Sequence, residues 1–213
     1  MYSFKFFVVA FWAAPLGYTF AQIPVEVLVG HRQVQHEFFF FKDVNARQRF
    51  SLFSMGRFAV DYASAPANSS FISSQLTYSI SPKWGLTGGG QFANGLFSPL
   101  AALSFVHTNE KGDFFLNHFP TYYLGEAASW EMFGLLFYTP AIGLKWQIFS
   151  QLIFGSNFNT RFTQHQFSYQ QLRLGLGYRQ WFQAGIGLDL SQAGNSENLS
   201  NQHNLGLFLR KEF

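Results

Sequence analysis

The chain contains no cysteine, which excludes a disulfide framework and a thiolate metal site. Charge is also scarce. Asp, Glu, Lys and Arg make up 12% of the residues, against about a quarter in ordinary soluble domains. The net charge of +3 is spread along the chain and forms no basic patch, so no nucleic-acid partner is expected. Beyond residue 22, no apolar run approaches the ~18–20 residues of a membrane-spanning helix, and helical periodicity is weak. The glycine run Gly88-Gly89-Gly90 is not followed by Gly-Lys-Ser/Thr, so it does not read as a phosphate loop. His31, His36, His107, His118, His165 and His203 form no H-E-x-x-H pair or other metal-ligand spacing, and neither a metal nor a cofactor is expected.

Aromatics fill the space that charge leaves. They reach 20% of the chain, with 29 phenylalanines, yet mean hydropathy is only +0.03 because Ser, Gln, Asn and Gly are abundant. A wall with one lipid face and one wet face needs this mixture. The length of 213 residues fits one domain. Residues 1–21 read as an export signal. Lys5 precedes an apolar run from Phe6 to Ala14, Pro15 and Gly17 break it, and Thr19 and Ala21 stand at the spacing of a cleavage site before Gln22. Residues 22–213 are then the mature domain.

Within that domain the recurring signal is alternation. Phe50, Leu52, Phe58, Val60 and Tyr62 oppose Arg49, Ser51, Arg57 and Asp61 over residues 49–62. The same two-residue period runs through 72–80, 84–92, 142–152, 172–178 and 182–190. Successive side chains of a strand point to opposite faces, so each segment has one apolar and one polar face. Glycines at 175, 177, 185, 187 and 206 leave room beside larger inward side chains. Tight turns are expected at Ser81-Pro82-Lys83, Asn109-Glu110-Lys111-Gly112 and Arg179-Gln180, with longer polar loops at 63–68, 155–165 and 191–201.

The last segment, 201–213, carries the same pattern. Leu205, Leu207, Leu209 and Phe213 share one face, and Asn204, Gly206, Arg210 and Glu212 the other. The export signal ending Thr19-Phe20-Ala21, the repeated strands from Val25 onward and the final aromatic Phe213 together resemble a small outer-membrane β-barrel of Gram-negative bacteria. That resemblance implies an all-β, closed, antiparallel up-and-down transmembrane β-barrel with both termini in the periplasm. It implies residence in the outer membrane among lipid and lipopolysaccharide, and recognition of the strand ending at Phe213 by the barrel-assembly machinery. An even strand number follows. The apolar face is odd-numbered at Val25, Val27 and Val29. At His31, Gln33, Gln35 and Glu37 the odd face is polar. This phase switch places a turn near 30–33 and gives about twelve strands, while a single bulged strand there would give about ten.

The inward charges are the candidate site: Arg49, Arg57, Asp61, Glu131, Lys145, Arg173, Asp189, Arg210 and Glu212. Both signs occur on neighbouring strands. They read either as a network that fills the lumen and braces the wall, or as the lining of a narrow passive pore for small polar solutes. Trp84, Trp130, Tyr138, Trp146, Tyr178 and Trp181 are placed to form interfacial girdles. No catalytic residue is assigned and no enzymatic activity is expected. His165 with Ser168 raises the alternative of a barrel enzyme acting on lipid, a lipase or deacylase, but the outer-membrane phospholipase pattern of His followed shortly by Ser-Asn-Gly is missing. A secreted soluble β-barrel that binds a ligand is the third reading.

Overall fold

The alternating segments need partners for every backbone N–H and C=O, and one sheet closed on itself supplies them all. The computed structural model describes residues 23–44, 49–63, 68–125, 128–179, 181–194 and 198–213. Twelve strands form. They are β1 Pro24–Gly30, β2 Gln33–Asp43, β3 Phe50–Asp61, β4 Ser69–Ser79, β5 Trp84–Ala93 and β6 Leu96–Thr108 in the first half. The second half holds β7 Phe114–Tyr123, β8 Ser129–Tyr138, β9 Trp146–Asn159, β10 His165–Tyr178, β11 Phe182–Ala193 and β12 Ser200–Glu212. Each strand pairs antiparallel with its neighbours in sequence, and β1 pairs with β12 to close the barrel. The turn between Gly30 and Gln33 is real, which settles the strand number at twelve rather than ten. The expected export signal, 1–21, lies outside the described residues, as do 64–67 of the loop after β3 and Gln180 of the turn after β10.

Burial is the inverse of a soluble domain. On β10–β12 the outward residues Leu174, Ile186 and Leu207 are 62%, 58% and 69% exposed, while inward Arg173 and Arg210 are 1% exposed. Register aligns the outward set in one row: Leu174 opposite Ile186, Ile186 opposite Leu207, and Leu207 opposite Val29 across the seam. An apolar belt of this kind around a closed ring belongs in lipid. Inside, Arg173 lies opposite Gly187. A Cβ on Gly187 would meet Arg173 Cδ at 3.0 Å and Leu28 Cδ1 at 2.7 Å, so the glycine is what lets the long side chain lie flat against the wall.

The expected loops and one strand start need correction. Connections run from three to seven residues at the rim carrying the termini and from two to seven at the far rim. Much of 155–165 and 191–201 is strand, because β9 runs to Asn159, β10 starts at His165, β11 runs to Ala193 and β12 starts at Ser200. Ladder hydrogen bonds continue past the point where the outward face turns polar. The loss of hydropathy marks the edge of the lipid, not the end of the strand. At the other rim, β9 begins at Trp146 rather than at Ile142. Pro140 cannot donate to a ladder, and Ile142 N–H instead donates to Trp146 O across a turn (3.0 Å).

Candidate functional site

The lumen divides into two sectors. In the aromatic one, β2 and β3 face β7 and β8 closely enough for their rings to meet. Phe39 packs on Phe137 with centroids 5.6 Å apart, and Phe53 stacks on Phe119 at 5.6 Å. Met55, Leu135 and Ile153 complete a buried cluster with Phe53 and Phe119. These residues occupy inward positions of their strands, so a space that alternation would allow to be wet is filled with hydrocarbon.

The second sector, on β9–β12 and β1–β3, is ionic. Arg173 donates from Nε to Glu26 Oε1 and from Nη1 to Asp189 Oδ1, each at 2.6 Å. Arg210 donates from Nη1 to Gln151 Oε1 and has Glu26 Oε2 at 3.7 Å from its Nε. The Arg210 guanidinium lies 4.9 Å from the Phe39 ring centroid and 5.0 Å from that of Phe149, which joins the two sectors by cation–π contact. Arg57 lies over Phe71 and Tyr169 (5.2 and 5.7 Å) and reaches Glu37 through Gln171, whose amide accepts from Arg57 Nη1 and donates to Glu37 Oε2 at 3.1 Å. Three arginines and three carboxylates thus balance in charge, as a confined ionic cluster requires.

The nine sequence-assigned charges separate accordingly. Arg57, Arg173, Asp189 and Arg210 belong to the ionic cluster. Glu131 is inward but stands apart, held by the hydroxyls of Tyr123 (2.6 Å) and Tyr169 (3.0 Å). Asp61 is at the far rim, paired with Arg32 (3.2 Å) rather than with Arg57. Glu212 is at the terminal rim and accepts from Gln183 Nε2 (3.0 Å). Arg49 is exposed beside the start of β3 and lines a rim cavity with Asp43, Thr77 and Lys83. Lys145 is not on a strand. It is exposed in the turn between β8 and β9, because the shift of the strand start to Trp146 breaks the alternation that had placed it inside. The acids Glu26 and Glu37, which neutralise the arginines, were absent from the sequence-assigned set. Glu26 alternates with Val25 and Val27, so its inward direction was readable. Its partner on β10, 147 positions along the chain, was not.

Three cavities lie along the lumen beside these two sectors. One of about 540 Å³ opens at the terminal rim between Phe41, Phe115, Phe137, Phe149, Arg210 and Glu212. Another, of about 200 Å³, lies toward the far rim between Arg32, Arg57, Gln171, Asp189 and Asn204. A void of about 20 Å³ borders both through Phe53 and Tyr169. That is room for about one water molecule.

No protein-family model matches the chain, and no curated protein matches it in sequence. Solved structures are similar to it in fold. A KdgM porin in complex with disordered oligogalacturonate shares 12% identity over 90% of this chain and 99% of that one, with a TM-score of 0.49. LpxR from Salmonella typhimurium shares 7% identity over 91% and 100% of the two chains, with a TM-score of 0.48. In-vitro folded OmpT, an outer membrane protein of Vibrio cholerae, shares 8% identity over 91% and 96%, with a TM-score of 0.37. At these values the likeness is one of architecture alone. This chain's own architecture is a closed antiparallel β-barrel of twelve strands with an apolar exterior and side chains that fill the lumen from both sides.

Proposed function

We propose that this protein is an integral outer-membrane β-barrel whose lumen is sealed by its own side chains, and that the lumen serves to hold the wall together rather than to pass solutes. The observation that carries this reading is the meeting of opposite walls, Phe39 on Phe137 and Phe53 on Phe119, beside an ionic cluster whose Arg173, Arg210 and Glu26 are each 1% exposed. A passage for even a partly hydrated ion needs more than the single-water void between the two vestibules. The surrounding partners are then outer-membrane lipid and lipopolysaccharide, with the aromatic side chains at the strand ends anchored in the headgroup zones. The barrel-assembly machinery is the expected reader of the terminal strand. There Phe213 extends the β1–β12 seam by exchanging backbone hydrogen bonds with Ile23 (3.1 and 3.3 Å).

Planar-bilayer recording of the refolded protein tests the seal. The expected record has no conductance steps at any salt concentration, and regular single-channel steps from wild-type protein would refute it. Flotation with lipid vesicles and heat-modifiable gel migration test the membrane assignment separately. A carbonate-soluble monomer would overturn that assignment.

A further inference from the structure

The strongest unassigned chemistry lies outside the lumen, on the exterior of β9–β12 near the far rim. His165 Nδ1 is 2.9 Å from the carbonyl oxygen of Gly194, and His165 Nε2 is 2.7 Å from Ser168 Oγ. A carbonyl can only accept, so Nδ1 of the neutral ring carries the proton and donates it to Gly194. Nε2 is then a lone-pair acceptor and takes the hydrogen bond of the Ser168 hydroxyl. With that hydrogen committed, the contact between Ser156 Oγ and Ser168 Oγ at 2.8 Å runs from Ser156 as donor. The result is a serine aimed at an imidazole in the basic tautomer, with the imidazole held by a third group. This is the arrangement that activates a hydroxyl for nucleophilic attack. The register shift between His165 and Phe167, a β-bulge, brings a rim histidine back over the serine three residues on.

The position selects the substrate. Ser168 lies opposite Ser156 and Gln192, and Gln192 lies opposite Asn201, all on the outward face. One step down that face is the row Phe154, Gln170, Leu190 and His203, and below it are Leu152, Leu172, Leu188 and Leu205. The pair therefore stands just above the apolar belt. Trp130 stacks on Phe162 (5.5 Å) at the same rim, and Phe158 packs against His165 (5.7 Å), the aromatic signature of the headgroup level. Ester carbonyls of bilayer amphiphiles occupy this depth. Ser168 also lines an outward cavity of about 280 Å³ with Gln170, Gln192 and Asn201, whose side-chain amides are N–H donors for a developing oxyanion.

We propose that Ser168 and His165 form a hydrolytic site for carboxylic esters of membrane amphiphiles in the leaflet at this rim. Ser168 Oγ forms a bond to the acyl carbon as its proton passes to His165 Nε2. The ester C–O bond breaks, and the proton moves from Nε2 to the departing alkoxide. A water molecule from the rim then gives a proton to Nε2 as its oxygen attacks the acyl-serine. The acid leaves, and the proton returns to Ser168. Gly194 and Ser156 position this pair and do not touch the acyl group. The sealed lumen takes no part.

The test uses the full refolded barrel in mixed detergent–phospholipid micelles. An alkyl fluorophosphonate should add one phosphonyl group, mapped by peptide mass spectrometry to Ser168. Hydrolysis of a medium-chain nitrophenyl ester should fall by roughly 10³-fold or more in Ser168→Ala and His165→Gln. Heat-modifiable migration of each variant reports that the barrel has formed, so loss of activity is separable from loss of fold. Mapping on wild-type protein requires no variant. An unlabelled wild-type barrel, label at another residue, or hydrolysis that persists in Ser168→Ala would each overturn the assignment. The site depends on the membrane-barrel reading but not on the seal. Failure in vesicle flotation would sink that reading itself, whereas failure to label a barrel that floats would sink only the hydrolytic site.

Discussion

Replacing Arg173 by methionine keeps most of its volume and removes its charge. In the intact barrel its guanidinium is 1% exposed and makes two hydrogen bonds of 2.6 Å to carboxylates on different strands, β1 and β11. Without it, Glu26 keeps only the 3.7 Å approach of Arg210, and Asp189 loses its ion pair. Breaking a buried pair from one side costs about 3–5 kcal/mol, most of it the burden of the charge left behind. Removing Asp189 as Asp189→Asn costs less, on the order of 1–3 kcal/mol, because Arg173 retains Glu26. In the double variant the stranded partner is gone, so its loss should fall short of the sum by about 1–3 kcal/mol. Urea-driven unfolding from lipid vesicles, followed by the fluorescence of Trp84, Trp130, Trp146 and Trp181, measures all three. An Arg173→Met loss under about 1 kcal/mol, or additivity within about 0.5 kcal/mol, would refute a lumen braced by this cluster.

The remaining predictions probe the exterior, the aromatic sector and the turn. Leu174→Arg places a charge on the exposed outer belt and should cost about 2–4 kcal/mol in vesicles; a change within ±0.5 kcal/mol, as at the surface of a soluble protein, would contradict the lipid-facing assignment. The double variant Phe53→Ala/Phe119→Ala removes both rings of one cross-lumen stack and should produce conductance steps in a planar bilayer where the wild type is silent. Lys145→Ala should leave the urea midpoint unchanged, since Lys145 is exposed in a turn, and a measurable loss would return that residue to the network.

Alternation made the fold legible because in a barrel wall it is both local and decisive. The phase switch between Val29 and Gln33 was enough to place the first turn. The direction of Arg57, Arg173, Asp189 and Arg210 followed from the same two-residue period. Two kinds of information were absent from it. Period alone does not say whether an inward apolar residue such as Phe119 or Ile153 is a gap in a polar lining or part of a plug, because that depends on how near the opposite wall comes. Nor does it say which charges meet. Arg57 and Asp61 share a strand face, yet Asp61 meets Arg32 and Arg57 reaches Glu37 through Gln171. Lys145 failed for a local reason, a turn around Pro140 that interrupts the strand. At the Ser168–His165 pair, sequence proximity was visible, but the bulge and the Gly194 carbonyl that fix the tautomer were not.

The ionic cluster sits where closure of the ring is most demanding. β1 is the shortest strand, with seven residues. It makes seven register pairs with β12 and five with β2, against twelve between β10 and β11. Joining it to β12 closes nearly the whole chain into one loop, an entropic cost of roughly 5 kcal/mol plus a constant. Side chains supplement the short ladder at three heights. At the far rim Asn204 of β12 accepts from Arg32 N–H and Gln33 N–H (3.1 and 3.3 Å) and donates to Gln33 O (3.2 Å). At the terminal rim Ile23 and Phe213 extend the backbone ladder. At mid-height Glu26 lies opposite Arg210 in the register, but its shorter contact is to Arg173, so one carboxylate ties β1 to both β12 and β10. The aromatic sector, on β2–β3 and β7–β9, lies away from this seam, where longer ladders hold the wall and apolar filling is sufficient. Charge is therefore spent inside the barrel where a short strand must be held in the ring from several sides.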